Sequence, residues 1–474
     1  MSSLHPKRVA VIDIGKSNVK FTVVGLSDLR EIEVRTRPNR VRPGPPWAHF
    51  DVVEHWRFIL ESLEDCHRQY GIDAIAVATH GAAVVLLDEH GELAAPVLDY
   101  EDPGPDETAD AYGQLRPSFE ETGSPRLGGG QNVGAQIFWQ FETEPGLRDR
   151  TAVIVTFPQF WSYMLTGVHA TDVTSLGAHT DLWNPHAGCF SSLVDRLEIR
   201  DRIAPVHLPG DVLGPVSPGI RVRTGLPESV PVHCGIHDSN ASLLPHILTR
   251  PAPFSVVSTG TWIITMSVNL IPATLDPSRD TLINVDAFGR PVSSARFMGG
   301  REYETVVGTS TEAPDAQTSA AAQSRHTGES PEVLDQPIML LPAVVPEVGP
   351  FQGMTSRWVG KEPAPGSRQR ETAASYYLAL VTMHCLTLVE HDGDIVIEGP
   401  LARNRSFLDM LAAGTGSPVF VSEGSTGTSA GAALLATPGA EPMIRTVPHQ
   451  VPIEQKQRLR DYANRWRQLV SRGP

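Results

Sequence analysis

The stretch RVAVIDIGKSNVKFTVVGL, residues 8–26, decides the fold. β-Branched residues stand on both sides of a Gly-Lys-Ser-Asn turn, which predicts a buried strand, a tight turn and a second strand, with Asp13 closing the first. The same grammar returns in IDAIAVATHGAAVVLLDEHGEL, residues 72–93, where the turn falls at His80-Gly81, and in FSVVSTGTWIITMSV, residues 254–268, where it falls at Ser258–Thr261. The first and third copies lie roughly 240 residues apart and no 20 to 50-residue period is visible, so two related halves are expected, not a solenoid.

Helical spacing of apolar residues marks His55–Tyr70, Gln136–Thr143, Pro158–Leu165 and Thr372–Val389, so strands alternate with helices and the class is α/β. The prolines of Arg250-Pro251-Ala252-Pro253 disfavour regular structure and mark the crossing between an N-terminal domain, 1–249, and a C-terminal domain, 250–474. Thr309–Gln336 and Pro363–Gly366 read as mobile surface segments. Ile453–Val470 reads as a charged amphipathic helix that straps the end of the chain.

A chain of 474 residues has room for two or three domains. Its 41% hydrophobic and 20% charged content is that of a globular protein. The formal net charge of −15 repels polyphosphates and acidic membranes, which argues against nucleic acid as a partner. Cys66, Cys189, Cys234 and Cys385 form no CxxC pair, so neither a disulfide framework nor a cysteine zinc site is indicated. The apolar run Val9–Ile12 is too short for a signal-peptide core, and no window approaches the ~18 to 20 apolar residues of a membrane helix. A cytoplasmic location is expected.

Gly15-Lys16-Ser17 contains the GKS of a P-loop, but that motif needs a second glycine where Ala10 stands. What remains is an acidic strand end followed by a turn of small residues. Such a turn can face backbone N–H groups to phosphate while Asp13 holds a hydrated divalent cation, and it equally suits an ordinary hairpin. Ser258–Thr261, with Gly260 and Thr261, offers the same chemistry from the other half. Asp394–Pro400 reads as a strand ending in a turn at Gly399, and Ser425–Ala433, through Gly427, as a turn feeding a small-residue helix whose surface admits a flat ring.

Asp238, in Pro231-Val-His-Cys-Gly-Ile-His-Asp-Ser-Asn-Ala241, follows a strand and precedes a helix. It can serve as a helix N-cap, or it can accept the proton of a substrate hydroxyl that attacks a phosphoryl group. Metal binding by His233, Cys234 and His237 is a weaker option, because no further ligand cluster is evident. His80-Gly81 can hydrogen-bond a polyol or cap its own loop. Asp99, Glu101 and Asp102 read as a solvated acidic loop, and Arg301 and Arg403 are single charges.

The order of these motifs resembles the FGGY carbohydrate kinases, closest to their L-rhamnulokinase-like members, over about residues 8 to 440. Gln136-Ile137-Phe138-Trp139, Tyr163–Gly167 and Thr171–Ser175 are further matches in the right order. The resemblance implies an actin-like ATPase fold, two ribonuclease-H-like domains around a central cleft. It implies that 1–249 binds the sugar and the first phosphate segment, and that 250–474 binds the nucleotide. Asp13–Lys20, with Gly15, Lys16 and Ser17, would be the first phosphate segment and Ser258–Trp262 the second. Asp238 would be the catalytic base, His80, Gly81, His237, Asp238 and Asn284 would touch the sugar, and Thr261 and Gly399 the nucleotide.

Two departures stand out: Tyr100-Glu101-Asp102-Pro103 where the similar sequences read Tyr-Arg-Asp-Pro, and Gly399-Pro400 where they read Gly-Gly. The expected function is phosphorylation of a primary hydroxyl of a small ketose, such as L-rhamnulose or L-fuculose, by Mg2+-ATP, with domain closure excluding water. A non-catalytic sugar or nucleotide sensor on the same fold is the alternative. An ATPase with a protein client is a third reading, disfavoured by the sugar-loop resemblance. A homodimer is one assembly open to the chain.

Overall fold

The computed structural model describes residues 6–270, 273–308, 332–336, 338–422, 427–437, 439 and 445–472. They form two compact units. One takes the chain up to Thr249, then Ile283–Pro291 and the described residues within 426–443; the other takes the remainder. Most of the Thr309–Gln336 segment lies outside the described residues; at its end Glu332–Asp335 is a short helix.

In the first unit, β1 (Arg8–Ile14) pairs antiparallel with β2 (Asn18–Gly25), which pairs antiparallel with β3 (Arg30–Pro38). On its other side β1 runs parallel to β4 (Ala74–Thr79), and β4 runs parallel to β5 (Pro231–His233) and β6 (Ile236–His237). The central strands are apolar in unbroken runs because both faces are covered. Side chains alternate between those faces. Ala10, Ile12 and Ile14 pack with Ile59 and Leu63 of the helix Val52–Tyr70 and with Phe157, Phe160 and Trp161 of the helix Phe157–Thr166. Val9 and Val11 pack instead with Ala241, Leu244, Ala432 and Ala433, from the helices Asp238–Thr249 and Gly427–Leu434. β3 is the edge strand, exposed at every second residue and lined with Arg and Glu, which guard its free side.

The expected hairpin at His80 differs in one respect. Both strands form, but Val84–Leu87 leaves the sheet and pairs antiparallel with Val153–Thr156, while β4 stays beside β1. A strand buried on both faces is satisfied by a parallel neighbour, and local turn chemistry does not choose that neighbour.

The second unit repeats the plan. β7 (Phe254–Thr259) and β8 (Ile263–Val268) form the hairpin, and β9 (Pro291–Phe297) adds antiparallel to β8. β10 (Asp394–Glu398) runs parallel to β7, and β11 (Val419–Ser422) parallel to β10. Both sheets thus place their first strand between its antiparallel hairpin partner and a parallel strand from later in the chain. The helices Arg368–Leu388, Arg405–Thr415 and Ile453–Ser471 share one core around Tyr376, Phe407, Tyr462 and Trp466. The terminal helix is fastened by Tyr462 Oη to Ile338 O, 2.6 Å, and Trp466 Nε1 to Leu340 O, 2.8 Å.

Small residues decide how closely the helix carrying Asp238 is backed. A Cβ at Gly431 would stand 1.7 Å from the carbonyl oxygen of Ala241, so the two helices touch backbone to backbone. Gly431→Ala is expected to lower stability by about 1–3 kcal/mol through overpacking. Gly219→Ala, where nothing lies within 4 Å, is the control and is expected to stay near wild type. Equal urea midpoints for wild type and Gly431→Ala would contradict this packing.

Candidate active site

Strand register brings the residues of the first unit together. Asp13 of β1 aligns with Ala78 of β4, which aligns with Ile236 of β6; one step on, Ile14, Thr79 and His237 align. Asp13, His80 and Asp238 therefore emerge at the carboxyl ends of three adjacent parallel strands. Strands in a sheet are spaced about 4.8 Å apart, so the row spans roughly 10 Å. The carboxyl edge of a parallel sheet is where α/β proteins bind ligands.

Asp238 opens its helix, but it does not cap it in the usual way. Its Oδ1 accepts from the next amide, Ser239 N at 2.6 Å, from Ser239 Oγ at 3.3 Å, and from His237 Nε2 at 3.1 Å. Asn240 Nδ2 lies 3.0 Å from His237 Nδ1, and its donation there leaves Nε2 as the ring N–H that faces Asp238. The His237 backbone is held as well: its N–H donates to Thr174 Oγ1, 3.0 Å, and that hydroxyl donates to Asp172 Oδ2, 2.5 Å. With Oδ1 loaded by three donors, Oδ2 of Asp238 has no hydrogen-bond partner among the described residues. Burial pushes the Asp238 carboxyl up, but the hydrogen bond from His237, joined by that from the Ser239 amide, outweighs it and holds the group below its ordinary range. It is an ionised carboxylate with one free oxygen.

Asp13 is in the opposite condition. Burial, then the nearby charge of Asp238, push its carboxyl from 3.8 to about 7, against the pull of Lys20. Lys20 stands directly across the β1–β2 ladder, yet its ammonium is engaged by Glu31 Oε1 at 2.7 Å and Ser429 Oγ at 3.2 Å. Asp13 itself has no hydrogen-bond or ion-pair partner among the described residues. The following turn closes with Gly15 N donating to Asn18 O at 3.0 Å, and Asn39 fastens it by Nδ2 to Gly15 O and by its N–H to Ser17 O, both 2.8 Å. Asn39 was not legible as a site residue, since its contact with the turn is 24 positions away in sequence. Lys16 turns away, donating to Asp99 and lying 3.2 Å from Glu101 Oε2.

His80 is only 7% exposed, and neither ring nitrogen has a partner among the described residues. Phe50, Tyr100 and Phe157 box it in, with ring centroids at 5.2, 5.2 and 5.1 Å. Burial, reinforced by Lys16 and His237, depresses its pKa to about 3, so it is neutral and ready to give or take a hydrogen bond. Gly81 is required beside it: a Cβ there would stand 2.7 Å from Ala178 Cβ and 3.0 Å from His237 Cδ2. Asn284 is buried on the Thr281–Val285 strand, at the start of the Ile283–Pro291 segment of this unit. His233 is tied to Gly210 O at 2.9 Å, and no group of three or more metal-ligating side chains occurs among the described residues.

In the second unit the two glycine turns are locked together. Thr259 Oγ1 donates to Glu398 O at 2.5 Å and accepts from Leu401 N at 3.1 Å. Gly399 has φ +83°, and a Cβ there would stand 2.0 Å from Thr259 O, so no other residue fits. Gly260 and Thr261 form the β7–β8 turn, and Thr261 O accepts from Gly300 N at 3.1 Å. Arg301 and Arg403 are exposed. Gly427 begins a helix that belongs to the first unit; Ser425 and Thr426 lie outside the described residues.

Residues 9–245 match the N-terminal domain of the FGGY family of carbohydrate kinases, and residues 251–443 match the FGGY carbohydrate kinase C-terminal domain. The chain belongs to the FGGY family of carbohydrate kinases. A solved FGGY-like neighbour, a carbohydrate kinase from Novosphingobium aromaticivorans, is 34% identical with a TM-score of 0.86 and covers 99% of both chains. L-Fuculokinase of Escherichia coli strain K12 is 25% identical over 54% of this chain and 56% of its own length. Rhamnulokinase of Bacillus subtilis strain 168 is 25% identical over 56% of this chain and 55% of its own length. The chain thus spans about half the length of the curated relatives it matches. The fold is the two-domain, actin-like ATPase fold of this family. Among the described residues no helix is long and apolar enough to cross a membrane.

The raised pKa of Asp13 makes stability depend on pH. The folded chain holds the Asp13 proton more tightly than the unfolded chain does, so this contribution is complete below 3.8 and is lost as pH rises through about 7. The melting temperature of Asp13→Asn relative to wild type is expected to rise by a few degrees between pH 3.8 and about pH 8.5, with part of the rise already present at about pH 5. Thermal midpoints whose difference does not change between those pH values would contradict this.

Proposed function

We propose that the chain is an ATP-dependent carbohydrate kinase that phosphorylates a primary hydroxyl of a small sugar, a ketose of the L-rhamnulose or L-fuculose kind. The observation that carries this reading is the state of Asp238: ionised, oriented by His237 and Ser239, and with Oδ2 free. A carboxylate so held accepts the hydroxyl proton as the oxygen attacks the γ-phosphorus; the bond to the β-phosphate oxygen breaks and ADP leaves. His80, Gly81, His237 and Asn284 are assigned to the sugar. The unpartnered nitrogens of His80 are suited to hydroxyls, and Gly81 leaves the room His237 needs.

Asp13 suits a hydrated magnesium ion. It is an unpartnered oxygen donor beside a second carboxylate, and magnesium typically binds one or two carboxylates while keeping its water and phosphate ligands. Bound there, the ion would supply charge neutralisation on the transferring phosphoryl group. The turn of Gly15 and Ser17 offers backbone amides to phosphate, and Gly260, Thr261, Gly399 and Gly427 are assigned to the nucleotide. Positioning and electrostatics supply the acceleration, with the base adding about 10²- to 10⁴-fold.

ADP release measured with ketoses, aldoses and polyols tests the reading. Sugar-stimulated release is expected; no release marks a sensor, and release indifferent to sugar marks an ATPase. Asp238→Asn is expected to cut kcat by about 10²- to 10⁴-fold with ATP affinity held within about twofold. Wild-type turnover in that variant would reject Asp238 as the base.

A further inference from the structure

Lys16 stands in the turn that would face phosphate, yet its ammonium is committed elsewhere. It donates to Asp99 Oδ1, lies 3.2 Å from Glu101 Oε2, and sits 4.8 Å from the centroid of the Tyr100 ring and 5.7 Å from that of Phe50. An ammonium has three N–H donors; Asp99 takes one, and Glu101 lies within ion-pair distance of the group. The Asp99 side chain is 7% exposed and that of Glu101 is 56% exposed, so one carboxylate is fixed and the other stands open to solvent. The loop is rigid where it meets the body: Asp102 Oδ2 accepts from Ala48 N at 2.9 Å and its Oδ1 from Gly104 N at 2.8 Å.

A second observation points to a ligand at this corner. The His80 ring meets the Tyr100 ring edge-on at 5.2 Å, is almost wholly buried, and keeps both nitrogens unpartnered. A buried polar group without a partner is costly, and a hydroxyl-bearing ligand removes the cost. The charges nearby are lopsided. Among the described residues, Asp13, Asp99, Glu101 and Asp238 outnumber the ammonium groups beside them, of which Lys16 is engaged by Asp99 and Lys20 by Glu31.

We propose that Lys16, Asp99 and Glu101, with His80, form the acceptor-recognition corner, which takes an uncharged polyhydroxy compound and rejects the matched compound carrying a carboxylate. Lys16 then serves the acceptor, offering a remaining N–H to a hydroxyl while Glu101 accepts from a neighbouring one, and it does not hold the nucleotide phosphates. This inference rests on the kinase reading for the direction of transfer, but its binding claim can be tested without turnover.

Titration calorimetry supplies the test, with L-rhamnulose, L-fuculose, D-xylulose and glycerol as neutral probes, D-gluconate and L-rhamnonate as anionic ones, and a non-hydrolysable ATP analogue. Wild type is expected to bind at least one neutral probe about 100-fold more tightly than either aldonate. Lys16→Met should weaken that neutral probe about tenfold or more and shift the ATP analogue by less than about threefold. Glu101→Gln, at an exposed side chain, should narrow the neutral-to-aldonate ratio about fivefold or more. A Lys16→Met variant that loses the ATP analogue and keeps the sugar overturns the proposal. So does a wild type that prefers an aldonate or binds no neutral probe. A wild type that binds a ketose but shows no ketose-dependent ADP release sinks the kinase reading and leaves this corner standing.

Discussion

Two carboxylates held near one another on the same face of a sheet set the terms for the first unit. Asp13 takes that face because side chains alternate along β1, and Asp238 reaches it because β6 ends one residue earlier. Their mutual repulsion, added to burial, leaves Asp13 reluctant to ionise while Asp238, supplied with three donors, stays charged. Such an asymmetric pair is settled by an added cation, and the groups that could have served internally are withheld. Lys20 is engaged by Glu31 and Ser429, Lys16 by Asp99 and Glu101. The surroundings follow from the same need: alanines on β4 and the glycine at 431 let the helix behind Asp238 lie close.

What could be read from the sequence was mostly local. The hairpins at Gly15 and Gly260 formed as their apolar runs and turn residues indicate, and the helices expected at His55–Tyr70 and Thr372–Val389 formed with ends shifted by a few residues. Partner choice was not local. Val84–Leu87 has the composition of a hairpin strand, yet it pairs with Val153–Thr156 across some 70 intervening positions, which no turn signal encodes. The terminal helix was legible as a strap from its charge and period, but not the carbonyls of Ile338 and Leu340 that anchor it.

The site divides the same way. An aspartate at the start of a helix is ordinarily a cap, so Asp238 stood out only through the order of motifs around it. Its supports, Asn240 to His237 Nδ1 and the Asp172–Thr174 pair beneath the His237 amide, depend on a fold that brings residue 174 to residue 237. The Glu101 departure was visible as an unusual charge, but its partner Lys16 was visible only as part of a glycine turn. Family membership settles the scaffold, whereas selection among sugars rests on a few such side chains, and one-quarter identity does not carry those from one member to another.

The first unit is completed by residues that come late. Val9 and Val11, among the earliest of the described residues, share a core with Ala432 and Ala433. During synthesis on a ribosome, β1 and β4 therefore keep part of one apolar face uncovered, beyond what Ala241 and Leu244 shield, until nearly the whole polypeptide has emerged. That interval is a window for chaperone capture and for aggregation. A gene cut at the crossing after Thr249 would yield an amino-terminal fragment whose Val9 and Val11 lack the cover of Ala432 and Ala433.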